Sequence, residues 1–117
     1  MYDRQRGLSD EEVGIRAFKI KRAKAVERAT ERIRRALGDS WSHLNAEEIE
    51  ELEWILGELW SYVARDDWDD LRFSRLNLQD VIRVLTLGSQ LRRHARNSID
   101  ILRDVRAAIE AVGGSAE

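Results

Sequence analysis

Four carboxylates near the middle of the chain are spaced for metal chemistry. Glu50 and Glu53 lie three residues apart, Asp67 and Asp70 repeat that spacing, and on a helix each pair would share one face. Two such pairs facing each other could hold magnesium, which prefers carboxylate oxygen and can activate water against a phosphoryl group. The two histidines, His43 and His94, have no second ligand at metal spacing. They read as surface or capping groups beside Asp39 and Asp100. The chain has no cysteine, which excludes thiolate metal sites, disulfides and cysteine nucleophiles. It contains no glycine-rich phosphate loop and no serine nucleophile motif.

The carboxylate pairs, over Glu50 to about Leu78, resemble the paired acidic motifs of the MazG-like nucleotide pyrophosphohydrolases. That resemblance implies an all-α, magnesium-dependent enzyme acting on nucleoside triphosphates. The chain departs from that pattern in using Asp67 for a glutamate, in placing Trp68 inside the second motif, and in setting Glu53 on the flank of an apolar stripe. The plainer reading of so dense an acidic block is a solvated face. Enzymatic hydrolysis therefore ranks third among the functions considered, and no catalytic, cofactor-binding or metal-ligating residue is assigned.

Trp54 is the more telling residue. It falls about 140° from the apolar stripe of its helix, on the same side as Glu47, Glu50, Glu51 and Glu58. An indole there either anchors a protein partner or is covered by another part of the fold. Trp68, set among Asp66, Asp67, Asp69 and Asp70, is a further interface candidate. Trp41 and Trp60 are expected in the core. A second candidate surface is the stripe Lys21, Lys24, Arg28, Arg32 and Arg35, which puts five cations along one edge of a helical rod and could track a nucleic-acid backbone. Arg92, Arg93 and Arg96 could extend it. Glu27 and Glu31 could neutralise it by pairing with Arg28, Arg32 and Arg35, and no aromatic for base stacking is interleaved on that face.

The elements that must position these residues are helical. Ser9 and Glu12 form a capping-box pattern before a helix that can run to Leu37, with Gly38 as its stop and Ile15, Phe18, Ala25, Val26, Ala29, Ile33, Ala36 and Leu37 as its core face. Asn45 and Glu48 announce a second helix, ending near Arg65, with the stripe Ile49, Leu52, Leu56, Leu59, Trp60 and Val63. Residues 66–76 are expected to be a loop with a short helix. Asn77 can cap a third segment in which Val84, Gly88, Leu91, Ala95, Ser98, Leu102, Val105, Ile109 and Val112 recur at about 3.5 residues, the spacing of a seam that could receive a second chain. Thr86, Gly88 and Ser89 offer a place to kink or break it, and propensity leaves one helix or two open. Leu78 to Arg96 around Gly88 is the only stretch that could form a helix-turn-helix.

The charge is sorted along the chain. Residues 1–37 carry +5, residues 38–70 carry −10 and residues 71–117 carry +3, within a total of −2 over 117 residues. An acidic centre between basic arms favours packing of the arms on the centre, or binding of a partner. Length, absence of proline and 43% hydrophobic content give one all-α domain over 9–112, a small bundle of three long helices with one or two short ones, and flexible ends at 1–8 and 113–117. No apolar run reaches the roughly 20 residues of a membrane span and no signal segment is seen, so the expected location is cytoplasmic.

The leading expectation is a non-catalytic interaction module: a small adaptor, regulator or inhibitor, in a style that would also suit a virus-encoded protein. It would bind a protein through the surface of Glu47, Glu50, Glu51, Trp54, Glu58 and Trp68, possess no cofactor, and be able to form a homo-oligomer. The alternative is a helical subunit of a nucleoprotein complex using Lys21, Lys24, Arg28, Arg32 and Arg35.

Overall fold

The computed structural model describes residues 10–115, with side chains placed for 13–94 and 96–110, and it is all-α. The described chain forms α1 (Asp10–Leu37), α2 (Ala46–Tyr62), the short α3 (Arg65–Asp70), α4 (Leu78–Arg93) and α5 (Ser98–Ser115), joined by 3-10 turns at Gly38–His43, Phe73–Arg75 and Ala95–Asn97. The Ser9 cap and the flexible start expected at 1–8 lie outside the described residues. α1 ends where glycine was expected to end it: Gly38 takes φ +56°, a conformation costly for any residue with a Cβ. Asn45 and Asn77 both close full capping boxes, accepting from the amides of Glu48 and Asp80 at 2.8 and 2.9 Å while those carboxylates accept from the capping amides in return.

α2 is the central helix. Leu52, Ile55, Leu56 and Leu59 are almost wholly excluded from solvent, because α1 packs antiparallel on one side and the hairpin of α4 and α5 on the other. The polypeptide from Val63 to Leu76 contributes as much core as a helix would. Val63, Trp68, Leu71, Phe73 and Leu76 are all buried, and Trp68 tilts onto Phe73 with ring centroids 4.9 Å apart. α2 stops at Tyr62, three residues before the expected end. α3 then runs for six residues, with Asp66 and Asp67 at its favourable N-terminal end and Asp69 and Asp70 where the helix dipole opposes them.

The third segment, which propensity left open as one helix or two, is two helices, and the break falls at His94 rather than at Thr86, Gly88 and Ser89. The 3.5-residue seam therefore folds back on itself: Val84, Gly88 and Leu91 of α4 and Leu102, Val105 and Ile109 of α5 are buried inside the bundle, where no second chain reaches them. There is no helix-turn-helix around Gly88, which lies in the middle of α4. A Cβ there would overlap Cδ1 and Cγ1 of Ile55, so the glycine serves the close approach of α4 to α2.

The core face of α1 is also shorter than its sequence pattern. Ala25, Ala29, Ile33 and Leu37 are buried, but Ala36 is exposed, and Ile15 and Phe18 are 49% and 45% exposed. The reason is length. α1 has 28 residues against 17 in α2, and Phe18 already lies beside Trp60 near the end of α2, with centroids 5.1 Å apart. Nothing in the described bundle covers the turns of α1 before Phe18.

Gly88→Ala should lower stability by ~1–3 kcal/mol through overpacking against a fully buried isoleucine, despite the ~1 kcal/mol that alanine gains over glycine in a helix. In an Ile55→Ala background the same substitution should become neutral or stabilising. Thermal and urea melts of the double-mutant cycle measure this, and equal penalties in both backgrounds would remove the Ile55 contact as the cause.

Candidate functional site

The outer face of α2 carries Glu47, Glu50, Glu51, Trp54 and Glu58 because they are spaced at i−7, i−4, i−3, i and i+4 around the tryptophan. The fold covers this indole only in part. Trp54 is half-buried against the core, and the guanidinium of Arg92, at the end of α4, lies 3.8 Å from the ring centroid. Glu51 holds that arginine, its two carboxylate oxygens each accepting from Arg92 Nε at 2.9 Å, and this contact raises the arginine's pKa. Sequence spacing could not show the Arg92 contact, since it joins residues 38 positions apart. Glu58 is turned toward α1, where Arg22 donates to it at 2.8 Å. Gly57 makes the room: a Cβ there would sit 2.8–2.9 Å from Arg22 Nε and Nη2. Glu47 and Glu50 stay exposed at the rim.

Trp68 does not belong to this surface. It is 4% exposed, and its acidic neighbours point outward while the indole points in. Four aspartates in a six-residue helix hid an inward aromatic whose ring partner is Phe73. The carboxylate pairs do not assemble either. Among the described residues no three His, Asp or Glu side chains approach closely enough to hold a metal ion. Glu50 and Glu53 are exposed, and Asp67 is engaged by Arg106 of α5 at 3.1 Å. His43 and His94 are exposed, His94 as the residue that ends α4.

The stripe of five cations is divided. Arg35 pairs with Glu31, which Arg34 also binds, and these arginines, Arg34 first, hold the Glu31 carboxyl below its ordinary pKa. Arg32 bends over the Phe73 ring at 5.6 Å and donates to the Leu71 carbonyl at 3.4 Å. Lys21, Lys24 and Arg28 remain free to converge with Arg65 of α3 on a groove of about 220 Å³, walled by Trp60, Trp68, Ala25 and Asp69. Among the described residues none of these four cations forms an ion pair within 4.0 Å. Arg93, His94 and Arg96 line a separate hollow at the α4–α5 turn. Arg92 meets α2 at Glu51, whereas the groove meets it at Trp60, about 13 Å along the helix axis.

Comparison with protein-family models, curated proteins and solved structures returned no match. Among the described residues no helix is long and apolar enough to cross a membrane.

Trp68→Ala should destabilise the fold by ~3–5 kcal/mol, the cost of deleting a buried aromatic. Trp54→Ala, at a half-buried position, should cost clearly less. Equilibrium urea unfolding of the two variants decides the ranking, and a reversal would place Trp54 in the core and Trp68 on the surface.

Proposed function

We propose that the protein is a non-catalytic helical interaction module that binds a basic protein surface through the outer face of α2. The observation that carries this reading is the Trp54–Arg92 pair, an aromatic and an arginine fixed side by side on the surface, with exposed Glu47 and Glu50 at its rim. Tryptophan and arginine are the residue types most enriched among interface anchors, and fixing them beforehand lowers the ordering cost of binding. The rim carboxylates favour a cationic partner and discourage an acidic one. A role as an adaptor, regulator or inhibitor fits such a module.

The module self-associates through the projecting first third of α1. Val13, Ile15, Phe18 and Ile20 are each 45–50% exposed. They occupy two faces: Ile15 and Phe18 extend the stripe that becomes Ala25, Ala29 and Ile33, while Val13, Ala17 and Ile20 line the opposite side. A helix apolar on opposite faces calls for burial on both. Charge selects a second copy as the occupant. Positions 10–12 are Asp-Glu-Glu, and Arg16 and Lys19 follow one to two turns later, so an antiparallel pairing of two arms sets the acidic turn of each against the basic residues of the other. Such a twofold contact is closed and self-complementary.

For the α2 surface, Glu47→Lys combined with Glu50→Lys should leave the melt unchanged within ~0.5 kcal/mol, because both side chains are exposed. The same variant should release any basic protein that the wild-type chain captures, and Trp54→Ala should weaken that capture by ~2 kcal/mol or more. Retention of the same protein by both variants would move the interface elsewhere. For the arm, light scattering should give twice the chain mass for the wild type and the single-chain mass for Ile15→Glu with Ile20→Glu. A monomeric wild type at high micromolar concentration removes the self-association.

A further inference from the structure

We infer that the groove between α1, the end of α2 and α3 is a binding site for a nucleotide unit, with its phosphate held by Lys21, Lys24, Arg28 and Arg65 and its base against Trp60. Three observations converge on this site, which is separate from the α2 surface proposed above. The first is charge. Four cations and one carboxylate, Asp69, line the groove in a chain of net charge −2, and none of the four cations is neutralised by another described side chain. Four like charges converging against a single carboxylate repel one another, and an anion between them relieves that repulsion.

The second observation is the wall. From the sequence, the basic edge of α1 carries no aromatic that could stack a base, but the fold brings one from another helix. Trp60 of α2 is half-buried, braced by Phe18 and placed beside the three α1 cations. Stacking on an aromatic is tolerant of base identity, since every base presents a π-face. Trp68 supplies only an edge, being nearly wholly buried.

The third is size and surroundings, which decide between a unit and a polymer track. A groove of about 220 Å³ is smaller than the roughly 300–1,000 Å³ that engulfs a drug-sized ligand, so it seats one phosphate and part of one ring. A duplex backbone laid along α1 would need the complete stripe, and Arg32 and Arg35 have been diverted to Phe73, Leu71 and Glu31. Asp66 and Asp70 stand exposed on the same short helix as Asp69, where they repel a continuous polyanion. The same nucleotide unit could arrive free or as part of a single strand.

The test is a titration of the full-length chain, followed by amide and indole resonances, with AMP, adenosine, inorganic phosphate and a ten-residue oligothymidylate as probes. AMP should shift the Trp60 indole and the amides of Lys21, Lys24, Arg28 and Arg65. Adenosine and inorganic phosphate should each do so about tenfold more weakly or less, because each supplies one half of the contact. Lys24→Gln with Arg28→Gln, both at exposed positions, should weaken AMP about tenfold without altering the melt. Oligothymidylate binding that is tighter than AMP and falls steeply with salt identifies a single strand as the source, whereas equal or weaker binding identifies a free nucleotide. The inference is overturned by a flat AMP titration at millimolar concentration, by equal responses to phosphate and AMP, by shifts centred on Arg93 and Arg96, or by a double variant that binds AMP like the wild type.

Discussion

The seating of Ile55 over Gly88 is the contact on which the rest of the arrangement depends. It lets α4 approach α2 closely, and an isoleucine that is fully buried holds the spacing. Because α4 lies that near, Arg92 at its end falls within reach of both Glu51 and the Trp54 ring, one helical turn further along α2 in the antiparallel direction. The surface pair at Trp54 is therefore a product of core packing. A larger residue at 88 would push α4 outward and take the guanidinium off the indole.

The second organising fact is a mismatch of lengths. α2 is buried from both sides, so its 17 residues set the height of the bundle, and α1 outruns it. The overhang leaves Val13, Ile15 and Ile20 about half exposed among the described residues, and Phe18 covered only on the side that meets Trp60. It also places Trp60 at the mouth of a groove instead of inside the core. Both unpartnered features, the apolar arm and the cationic groove, lie on α1 near the point where α2 ends.

Much of the scaffold was legible in the sequence because it is governed by local rules. Asn45 with Glu48 and Asn77 with Asp80 mark helix starts by hydrogen bonds that span three residues, and Gly38 marks a stop by its backbone freedom. The α2 stripe was legible for the same reason, with Leu52, Leu56 and Leu59 at helical period. What escaped was non-local. Ile15 and Phe18 fit the core period of α1, yet periodicity says which face is inward and nothing about where the neighbouring helix ends. Trp68 was misplaced because four aspartates dominate its window, while the ring that packs on it, Phe73, lies five residues on and beyond the end of α3. The break at His94 carries neither proline nor glycine, and Gly88, which looks like a breaker, is a spacer. Of the candidate site, the glutamates and Trp54 could be placed on one face, but Arg92, Arg22 and Arg65 come from other helices.

The sorted charge takes on a specific meaning in the fold. Arg22 to Glu58, Arg92 to Glu51 and Arg106 to Asp67 each join a basic arm to the acidic centre, and among the described residues every ion pair between different helices is of this kind. These pairs are partly exposed and screened by solvent, so each contributes little to stability. Their sum does not explain why the bundle is stable, since the buried aliphatics of α2 supply far more. It does bear on which bundle forms. With ten excess negative charges on the central block, each pairing of an arm with that block is favoured over a pairing of the two basic arms with each other, so charge order selects α2 as the middle layer. Once those three arginines are used, Lys21, Lys24, Arg28 and Arg65 have no ion-pair partner among the described residues, and Glu47 and Glu50 remain exposed on another side. The cations left over gather mainly in the α1–α3 groove, where Asp69 is the one carboxylate of the lining, and the exposed glutamates Glu47 and Glu50 lie apart from them on the outer face of α2.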